Sequence, residues 1–599
     1  MTQPAPINAF RILLVDDEDE VLNVVRRSLS EFGEDVVIDY AQDAAAADQL
    51  LSDRFYDLAL LDVYGKKDVL VGNQVYRRID AADLSTRVMM MTRWQLKQEA
   101  LRLLALTGSN SAWRLSGFLD KTRNFGPTIT KRVGELIRRF TASRADVSGL
   151  DQLATDILRQ RYRYRDADKN INLRKPKVEI ATEVDRLMRK LYVDLPAASK
   201  RVSRVQVEIS PMGRRGLSAA VVVNAHVRVT FETIATTASG HRTVLKVGPK
   251  RDIFDEAARF HEYVRYGIEL SHRVELLGVT GADALGGLIY SFAGGSYNLD
   301  LLALDEVFVD ELTSGDLEVS SEALRSLFAS RDWYGTPCGY VDVGEYFETN
   351  FRTDLPRSCD EGERQLAELS ETWTQWPRIV RADGSKGVAA LLEGPDGTKL
   401  AVPDQSVLGW GWLADQVPGC LVHGDMHGGN VMLECSRESS GTREGKWHYH
   451  RSCLIDFRNA GPGPRCIDAV CLESSIRLAE AEVMSKTVLR AGSPPSADEQ
   501  RELAQRMTEH FEEELALYRA VFLGEGDVPG SAWAGQCALV LRSMRDCFDD
   551  VALREYLTTS VRYTLRSLGF RLPDVARLRL LAWLAGQYQL AIDLSKLKS

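Results

Sequence analysis

Cysteine is scarce and unevenly placed in this chain of 599 residues. Nine cysteines occur, none precedes Cys338, and no two are spaced as C-x-x-C. A disulfide framework or a cysteine-based zinc site needs clustered cysteines, so the sequence argues against both. We therefore expect reduced thiols and a cytoplasmic location.

Long apolar runs and basic tracts are also missing. No run approaches the roughly 20 apolar residues of a membrane span, and residues 1–10 lack the basic-then-apolar pattern of a secretion signal. The formal net charge is −10 and no Lys/Arg tract stands out, so a dedicated nucleic-acid binder is disfavoured. The apolar fraction of 44% and the length predict a globular protein with several domains and no membrane partner.

Polar residues stand where the predicted strands of the first 140 residues end. Near-continuous apolar strands alternate with helices there, which predicts a five-stranded parallel sheet covered on both faces. Ligands of such sheets bind at the carboxyl ends of the strands. Those ends carry Asp16, Asp17, Asp62, Thr92 and Lys121.

Three carboxylates at one sheet edge repel each other unless a divalent cation lies among them. We expect Mg²⁺ to be held by Asp16 or Asp17 together with Asp62. Asp62, on the central strand, is the natural nucleophile for an aspartyl phosphate. Lys121 would pair with that phosphate, and Thr92 would donate a hydrogen bond to it.

This pattern resembles the receiver domain of response regulators. Phe118, three residues before Lys121, matches the aromatic position that such domains use as a switch. The resemblance implies a flavodoxin-like fold and phosphorylation by a cognate histidine kinase or phosphotransfer protein. Thr122 replaces the usual proline after the lysine, and Arg93 replaces a usual small residue. The alternative is a degenerate receiver that no longer takes phosphate and serves as a docking module.

A second polar cluster lies in the stretch L-V-H-G-D-M-H-G-G-N-V-M, residues 421–432, and in I-D-F, residues 455–457. Phosphoryl transfer needs an acidic group for the attacking hydroxyl and oxygen ligands for magnesium. Asp425 fits the first role, and Asn430 and Asp456 fit the second. The alternative is that this stretch is simply a polar, Gly-rich turn between two strands.

The nucleotide-binding half of such a site is predicted upstream. A Gly- and Ser-rich turn with Gly213, Gly216 and Ser218 lets backbone N–H groups approach phosphates. Lys246 lies near the end of the strand T-V-L-K-V, and the next helix offers Glu256 or Glu262 as its ion-pair partner. Glu256 is favoured because it lies in the first turns of that helix.

These motifs resemble the aminoglycoside-phosphotransferase and choline-kinase branch of protein-kinase-like folds. The stretches V-L-K-V-G-P and G-P-R-C-I-D-A-V-C-L-E look like bacterial kinase-like domains called ternary-complex-associated domains. The resemblance implies a bilobal α+β fold and Mg²⁺-dependent transfer from ATP to a hydroxyl of a small molecule or protein. It also implies that His423 braces the catalytic loop and that Asp468 anchors it as structural support.

Four regions are thus predicted: a receiver (1–141), a helical connector (142–204), a kinase-like N-lobe (205–298) and a helical C-lobe (299–599) with its catalytic loop at 421–470. The connector is typical of a lever or homodimer contact and equally of a solvated linker. We expect a signalling protein whose receiver regulates an ATP-dependent phosphotransferase of unknown substrate. The alternative is a catalytically inactive nucleotide-binding or scaffold module in a signalling or defence complex.

Overall fold

The computed structural model describes most of the chain. The described residues are 9–53, 56–63, 71–81, 86–92, 115–122, 124–142, 145–163, 177–194, 202–211, 220–231, 241–282, 285–291, 300–329, 334–351, 355–373, 377–381, 388–404, 407–408, 413–437, 447–489, 495–548, 551–570 and 572–596. They fall into two compact units, one of residues 1–258 with 275–292 and one of residues 259–274 with 293–599.

The first unit opens with a five-stranded parallel sheet in the order β2-β1-β3-β4-β5. Its strands are β1 (Phe10–Val15), β2 (Val36–Ala41), β3 (Leu58–Asp62), β4 (Arg87–Thr92) and β5 (Leu115–Asp120). The helices are α1 (Asp19–Ser28), α2 (Ala44–Asp53), α3 (Val71–Ala81) and α4 (Phe125–Ala142). Two separate apolar clusters cover the two faces of the sheet, as its buried strands require. The predicted flavodoxin-like α/β fold is confirmed.

A six-stranded sheet in the order β10-β11-β9-β8-β7-β6 follows in the same unit. Its strands are β6 (Ala145–Ser148), β7 (Val202–Pro211), β8 (Val221–Phe231), β9 (His241–Pro249), β10 (Leu276–Gly281) and β11 (Leu285–Ser291). β6 pairs in parallel with β7, whereas the other neighbours are antiparallel. The segment predicted as a helical connector therefore also supplies a strand to this sheet.

Two connector helices pack in this unit, α5 (Leu150–Arg163) and α6 (Lys177–Arg189), and α6 continues as a π-helical turn over Lys190–Asp194. Ile180, Val184 and Leu187 of α6 are buried in one cluster with the strands of the six-stranded sheet. Their spacing of three and four residues places them on one helix face. α6 is thus an integral layer of this sheet.

Helix α7 (Lys250–Arg259) follows β9 and continues as a π-helical turn over Phe260–Val264. It lies directly on β11, because a Cβ on Gly286 would be 2.8 Å from the Cβ of Ile253. The boundary between the two compact units falls inside this helix, between Ala258 and Arg259.

The second unit combines three small sheets, β12-β18-β19, β13-β17-β20 and β14-β15-β16, with a bundle of helices. The strands are β12 (Asp300–Ala303), β13 (Pro337–Asp342), β14 (Arg378–Arg381), β15 (Val388–Glu393), β16 (Lys399–Pro403), β17 (Gln416–Val422), β18 (Val431–Arg437), β19 (Trp447–Leu454) and β20 (Gly461–Pro464). The helices are α8 (Leu304–Ser314), α9 (Glu318–Phe328), α10 (Val343–Asn350), α11 (Leu355–Thr372), α12 (Ile467–Val488), α13 (Ala497–Tyr518), α14 (Ala532–Cys547), α15 (Leu553–Leu568) and α16 (Asp574–Lys596). Within the described residues, none of the helices has the length and apolar character to cross a membrane.

Candidate functional sites

The receiver sheet gathers the residues that the sequence placed at its strand ends. Oxygen atoms of Asp16, Asp17 and Asp62 lie within 4.8 Å of one another. Lys121 Nζ lies 3.0 Å from a carboxylate oxygen of Asp16 and 3.0 Å from one of Asp62. Thr92 ends β4 and is buried, and its carbonyl accepts a hydrogen bond from Lys121 N–H at 3.1 Å.

Burial and charge shape the protonation of this cluster. Desolvation raises the pKa of Asp62 to about 6, against the opposing effect of Lys121 and with the help of the Asp16 charge. Desolvation also raises the pKa of Asp16. Both pKa values are raised because Lys121 does not fully offset the cost of burying these carboxylates. The donor set therefore fits a hard divalent cation such as Mg²⁺.

Phe118 lies on β5 and is only partly buried. It packs against the apolar cluster that fills the α2 and α3 side of the receiver sheet. Its carbonyl accepts a hydrogen bond from Arg132 at 2.9 Å. After Lys121, both the N–H and the hydroxyl of Thr122 donate to Asp120 Oδ1, so the residue that replaces the usual proline closes a local turn.

On the six-stranded sheet, Lys246 of β9 and Glu256 of α7 form a buried ion pair, with Nζ and Oε2 2.7 Å apart. Their side chains are only 5% and 1% exposed. Tyr290 of β11 donates to the other oxygen of Glu256 at 2.7 Å. Glu262, the alternative partner considered from the sequence, is exposed. Tyr290 was missed, because an aromatic residue in a strand gives no signal of such a contact.

Gly213, Gly216 and Ser218, predicted to contact phosphates, lie outside the described residues. The segment A-G-G-S at 293–296, whose composition is typical of a hinge between two lobes, also lies outside the described residues.

In the second unit, the hairpin of β18 and β19 brings Asn430 beside Asp456. Val431 pairs with Leu454, and Ile455 N–H donates to the Asn430 carbonyl at 3.0 Å. The Asn430 side-chain amide donates through Nδ2 to the carbonyl of Asp425 at 2.8 Å. That leaves the amide oxygen as an acceptor, which is the atom that a magnesium ion would need.

A buried carboxylate anchors the loop that carries Asp425. Asp468, which is fully buried at the start of α12, accepts hydrogen bonds from the backbone N–H groups of His423 at 2.9 Å and Gly424 at 2.8 Å. Gly424 has φ +79°, and a Cβ there would lie 2.4 Å from the carbonyl oxygen of Asn459. The loop therefore needs glycine before Asp425.

His423 links the two halves of this loop region. Its Nε2 lies 2.9 Å from the Ile455 carbonyl, so the ring braces the residue that precedes Asp456. The ring also packs against Phe457, with centroids 5.3 Å apart, and Phe457 packs edge-on against Phe260 at 5.5 Å. Asp456 has a left-handed backbone (φ 62°, ψ 71°), which is uncommon for a residue with a side chain.

Comparison with known families supports both parts of this picture. Residues 12–110 match the model of the response regulator receiver domain, and residues 356–505 match that of the phosphotransferase enzyme family. The chain carries a receiver domain fused to a phosphotransferase-family domain. The predicted fusion and its kinase-like C-terminal fold are confirmed. The first match ends before Phe118 and Lys121, and the second begins after Lys246 and Glu256.

Solved structures of receiver domains match about a fifth of the chain. The response regulator TrrA of Thermotoga maritima, in complex with Mg²⁺ and a beryllium fluoride, is 24% identical and covers 21% of this chain and 97% of its own, with a TM-score of 0.17. The signal receiver domain of a LuxO repressor protein from Vibrio parahaemolyticus is 21% identical over 22% of this chain and 93% of its own, with a TM-score of 0.19. A CheY-like receiver from Methanospirillum hungatei is 17% identical over 22% and 97%, with a TM-score of 0.19. No curated protein matches the chain.

Proposed function

We propose that this protein is a signalling phosphotransferase that moves the γ-phosphoryl group of ATP to a hydroxyl group, under the control of its receiver domain. The proposal rests on the arrangement of Asp425, Asn430 and Asp456. Asn430 and Asp456 lie at the end of the β18–β19 hairpin, and the buried Asp468 anchors the loop that carries Asp425. A plain Gly-rich turn would not require a buried carboxylate beneath it, because burying a charge without a purpose is costly.

Each residue has a distinct role in this proposal. Asp425 accepts the proton of the attacking hydroxyl, and His423 keeps the loop in place through Ile455. Asn430 and Asp456 would hold Mg²⁺, which neutralises the charge of the phosphates when bound. Lys246, held by Glu256, binds phosphate oxygens of the nucleotide.

For the receiver, we propose that Asp62 accepts a phosphoryl group from a histidine kinase or a phosphotransfer protein. Asp16 and Asp17 would hold Mg²⁺ together with Asp62, and Lys121 and Thr92 would stabilise the bound phosphate. Lys121 already contacts Asp62 at 3.0 Å, which supports its role as the cationic partner. Phe118 is the residue proposed to respond to the modification.

The test is ADP release from γ-labelled MgATP, first with water and then with a panel of hydroxyl acceptors. The wild-type protein should turn over ATP, and Asp425→Ala and Asp456→Ala should lose nearly all of that rate. Equal rates in the wild type and both variants would exclude the assigned site. Tight MgATP binding without any turnover would instead favour a nucleotide-binding scaffold.

The receiver assignment has its own control. Acetyl phosphate with Mg²⁺ should label the wild-type protein and spare Asp62→Ala, whereas Asp39→Ala, on strand β2 of the same sheet, should still be labelled. Equal labelling of wild type and Asp62→Ala would show that another residue takes the phosphate.

A further inference from the structure

The receiver is joined to helix α6 by a buried ion triad. Asp57 precedes β3, and its Oδ2 accepts a hydrogen bond from Arg186 Nη2 at 2.8 Å while its Oδ1 lies 2.8 Å from Lys190 Nζ. The three side chains are at most 5% exposed. Arg11 N–H donates to the same carboxylate at 2.7 Å, so Asp57 is fixed in the sheet as well.

This triad lies at the end of β3 opposite to Asp62. β3 runs from Leu58 to Asp62, and five residues of a strand span roughly 17 Å. The triad is therefore separate from the phosphorylation site. It ties the receiver to a helix whose other face is buried on the six-stranded sheet, so receiver and sheet are connected through packed elements.

A second contact reaches helix α7 itself. The ring of Phe254 packs against the receiver's own apolar cluster, the cluster that Phe118 also contacts. Phe254 is two residues before Glu256, and residues two apart point to different sides of a helix. One side of α7 thus meets the receiver, while the other holds Lys246.

The same helix continues beyond Arg259 into a π-helical turn that contains Phe260, whose ring packs on Phe457 next to Asp456. Such π-helical turns are often found at functional sites. Within the first unit, α7 carries both Phe254 and Glu256, so a small displacement of its first turns can reach the ion pair with Lys246.

We propose that the receiver is a positioning element for helix α7, holding it through the Asp57–Arg186–Lys190 triad and through Phe254 so that Glu256 keeps Lys246 in place. Phosphorylation of Asp62 acts on the phosphotransferase by changing how this packed face holds α7. Asp57 and Phe254 are positioning residues, since neither touches the reacting groups. This inference rests on the proposed function for its consequence in turnover, but not for its physical test.

Phe254→Ala is the primary variant, because the ring is only partly buried and its removal should leave the protein folded. Arg251→Ala is the matched control on the same helix, since the Arg251 side chain is 78% exposed. Asp57→Asn, which keeps the size of the side chain, tests the triad. Each variant is prepared as the full chain, with and without Mg²⁺ and beryllium fluoride as a mimic of the phosphorylated receiver.

Two measurements need no turnover. The first is hydrogen exchange of the amides from residue 250 to residue 264, and the second is the Kd of a non-hydrolysable MgATP analogue. In wild type and Arg251→Ala, beryllium fluoride should change the exchange of this helix. In Phe254→Ala and Asp57→Asn the exchange should be faster and unresponsive, and the analogue should bind more weakly by roughly 5- to 150-fold, the usual range of coupling between sites.

Acetyl phosphate should label all four proteins equally, which shows that the receiver site is intact. The proposal is overturned if Phe254→Ala behaves as Arg251→Ala does, if the variants bind the analogue more tightly, or if beryllium fluoride leaves the helix exchange of wild type unchanged. Failure of the proposed catalytic function would give a different result. ADP release would be absent, while beryllium fluoride would still change the hydrogen exchange of residues 250–264 in the wild type.

Discussion

Glu256→Gln tests the nucleotide-binding half of the site most directly, because it removes one charge and little volume. Lys246 Nζ is 2.7 Å from the carboxylate and only 5% of its side chain is exposed. At an effective dielectric constant of about 20, the attraction over that distance is about 6 kcal/mol before desolvation is subtracted. Leaving one member of a buried pair without its partner costs about 3–5 kcal/mol.

Only a fraction of that cost bears on nucleotide binding. A hydrogen bond from a charged group contributes about 1.5–3 kcal/mol, so an ammonium group that is no longer held against phosphate should weaken binding by roughly 10- to 150-fold. The remainder should appear as a lower free energy of unfolding. The Kd of a non-hydrolysable MgATP analogue and urea denaturation of the same samples separate the two effects.

Glu262→Gln is the matched control, since Glu262 is an exposed glutamate on the continuation of the same helix. It should match the wild type in both measurements. If Glu256→Gln binds the analogue as tightly as the control, Lys246 does not contact nucleotide phosphate and the assignment of this half of the site is wrong.

Two further predictions concern the phosphotransferase-family domain. Burial, reinforced by Glu514 and opposed by Arg477, raises the pKa of Glu473 to about 8, so the folded state binds one proton more than the unfolded state between about pH 4.5 and about pH 8. The free energy of unfolding should therefore fall as pH rises through that window, by at most about 1.4 kcal/mol per pH unit. Glu473→Gln should flatten the dependence of the urea midpoint on pH. If the variant's urea midpoint depends on pH as steeply as that of the wild type, Glu473 is not buried in its neutral form. Asp456→Gly should raise stability by about 1 kcal/mol, because glycine adopts the left-handed backbone of residue 456 without strain, while ADP release is lost. Asp456→Ala should lose turnover without that gain, and equal melting temperatures of the two variants would refute the strain argument.

The receiver could be predicted from the sequence because its signal is local. Asp16, Asp62 and Lys121 each follow a short apolar strand, and parallel strands with helices between them can only bring their carboxyl ends to one edge. The spacing of Asp425 and Asn430 likewise belongs to one loop. In both cases the chemistry is encoded within a few residues of the element that places it.

Long-range partners were not predictable in this way. Asp57 and Arg186 are 129 residues apart, and nothing in either local sequence indicates the other. The stretch Asp300–Val309 shows the same limit, because its local pattern alone predicts one continuous helix. Asp300–Ala303 is strand β12, which is fixed by pairing with β18 more than 100 residues later, and the helix begins only at Leu304. Tertiary pairing decided the conformation of those four residues against their local pattern.

The two halves of the proposed site are held by different contacts, and this difference indicates which half the receiver can influence. Around Asp425, the backbone of His423 and Gly424 is bonded to a fully buried Asp468, so any movement would leave a buried carboxylate without its donors. Lys246 instead is paired with Glu256 on a helix whose first turns contact the receiver. A regulatory domain can shift such a helix at a modest cost in free energy, whereas it would have to break a buried network to move the catalytic loop. We therefore infer that phosphorylation of the receiver acts on nucleotide binding before it acts on the proton-accepting residue.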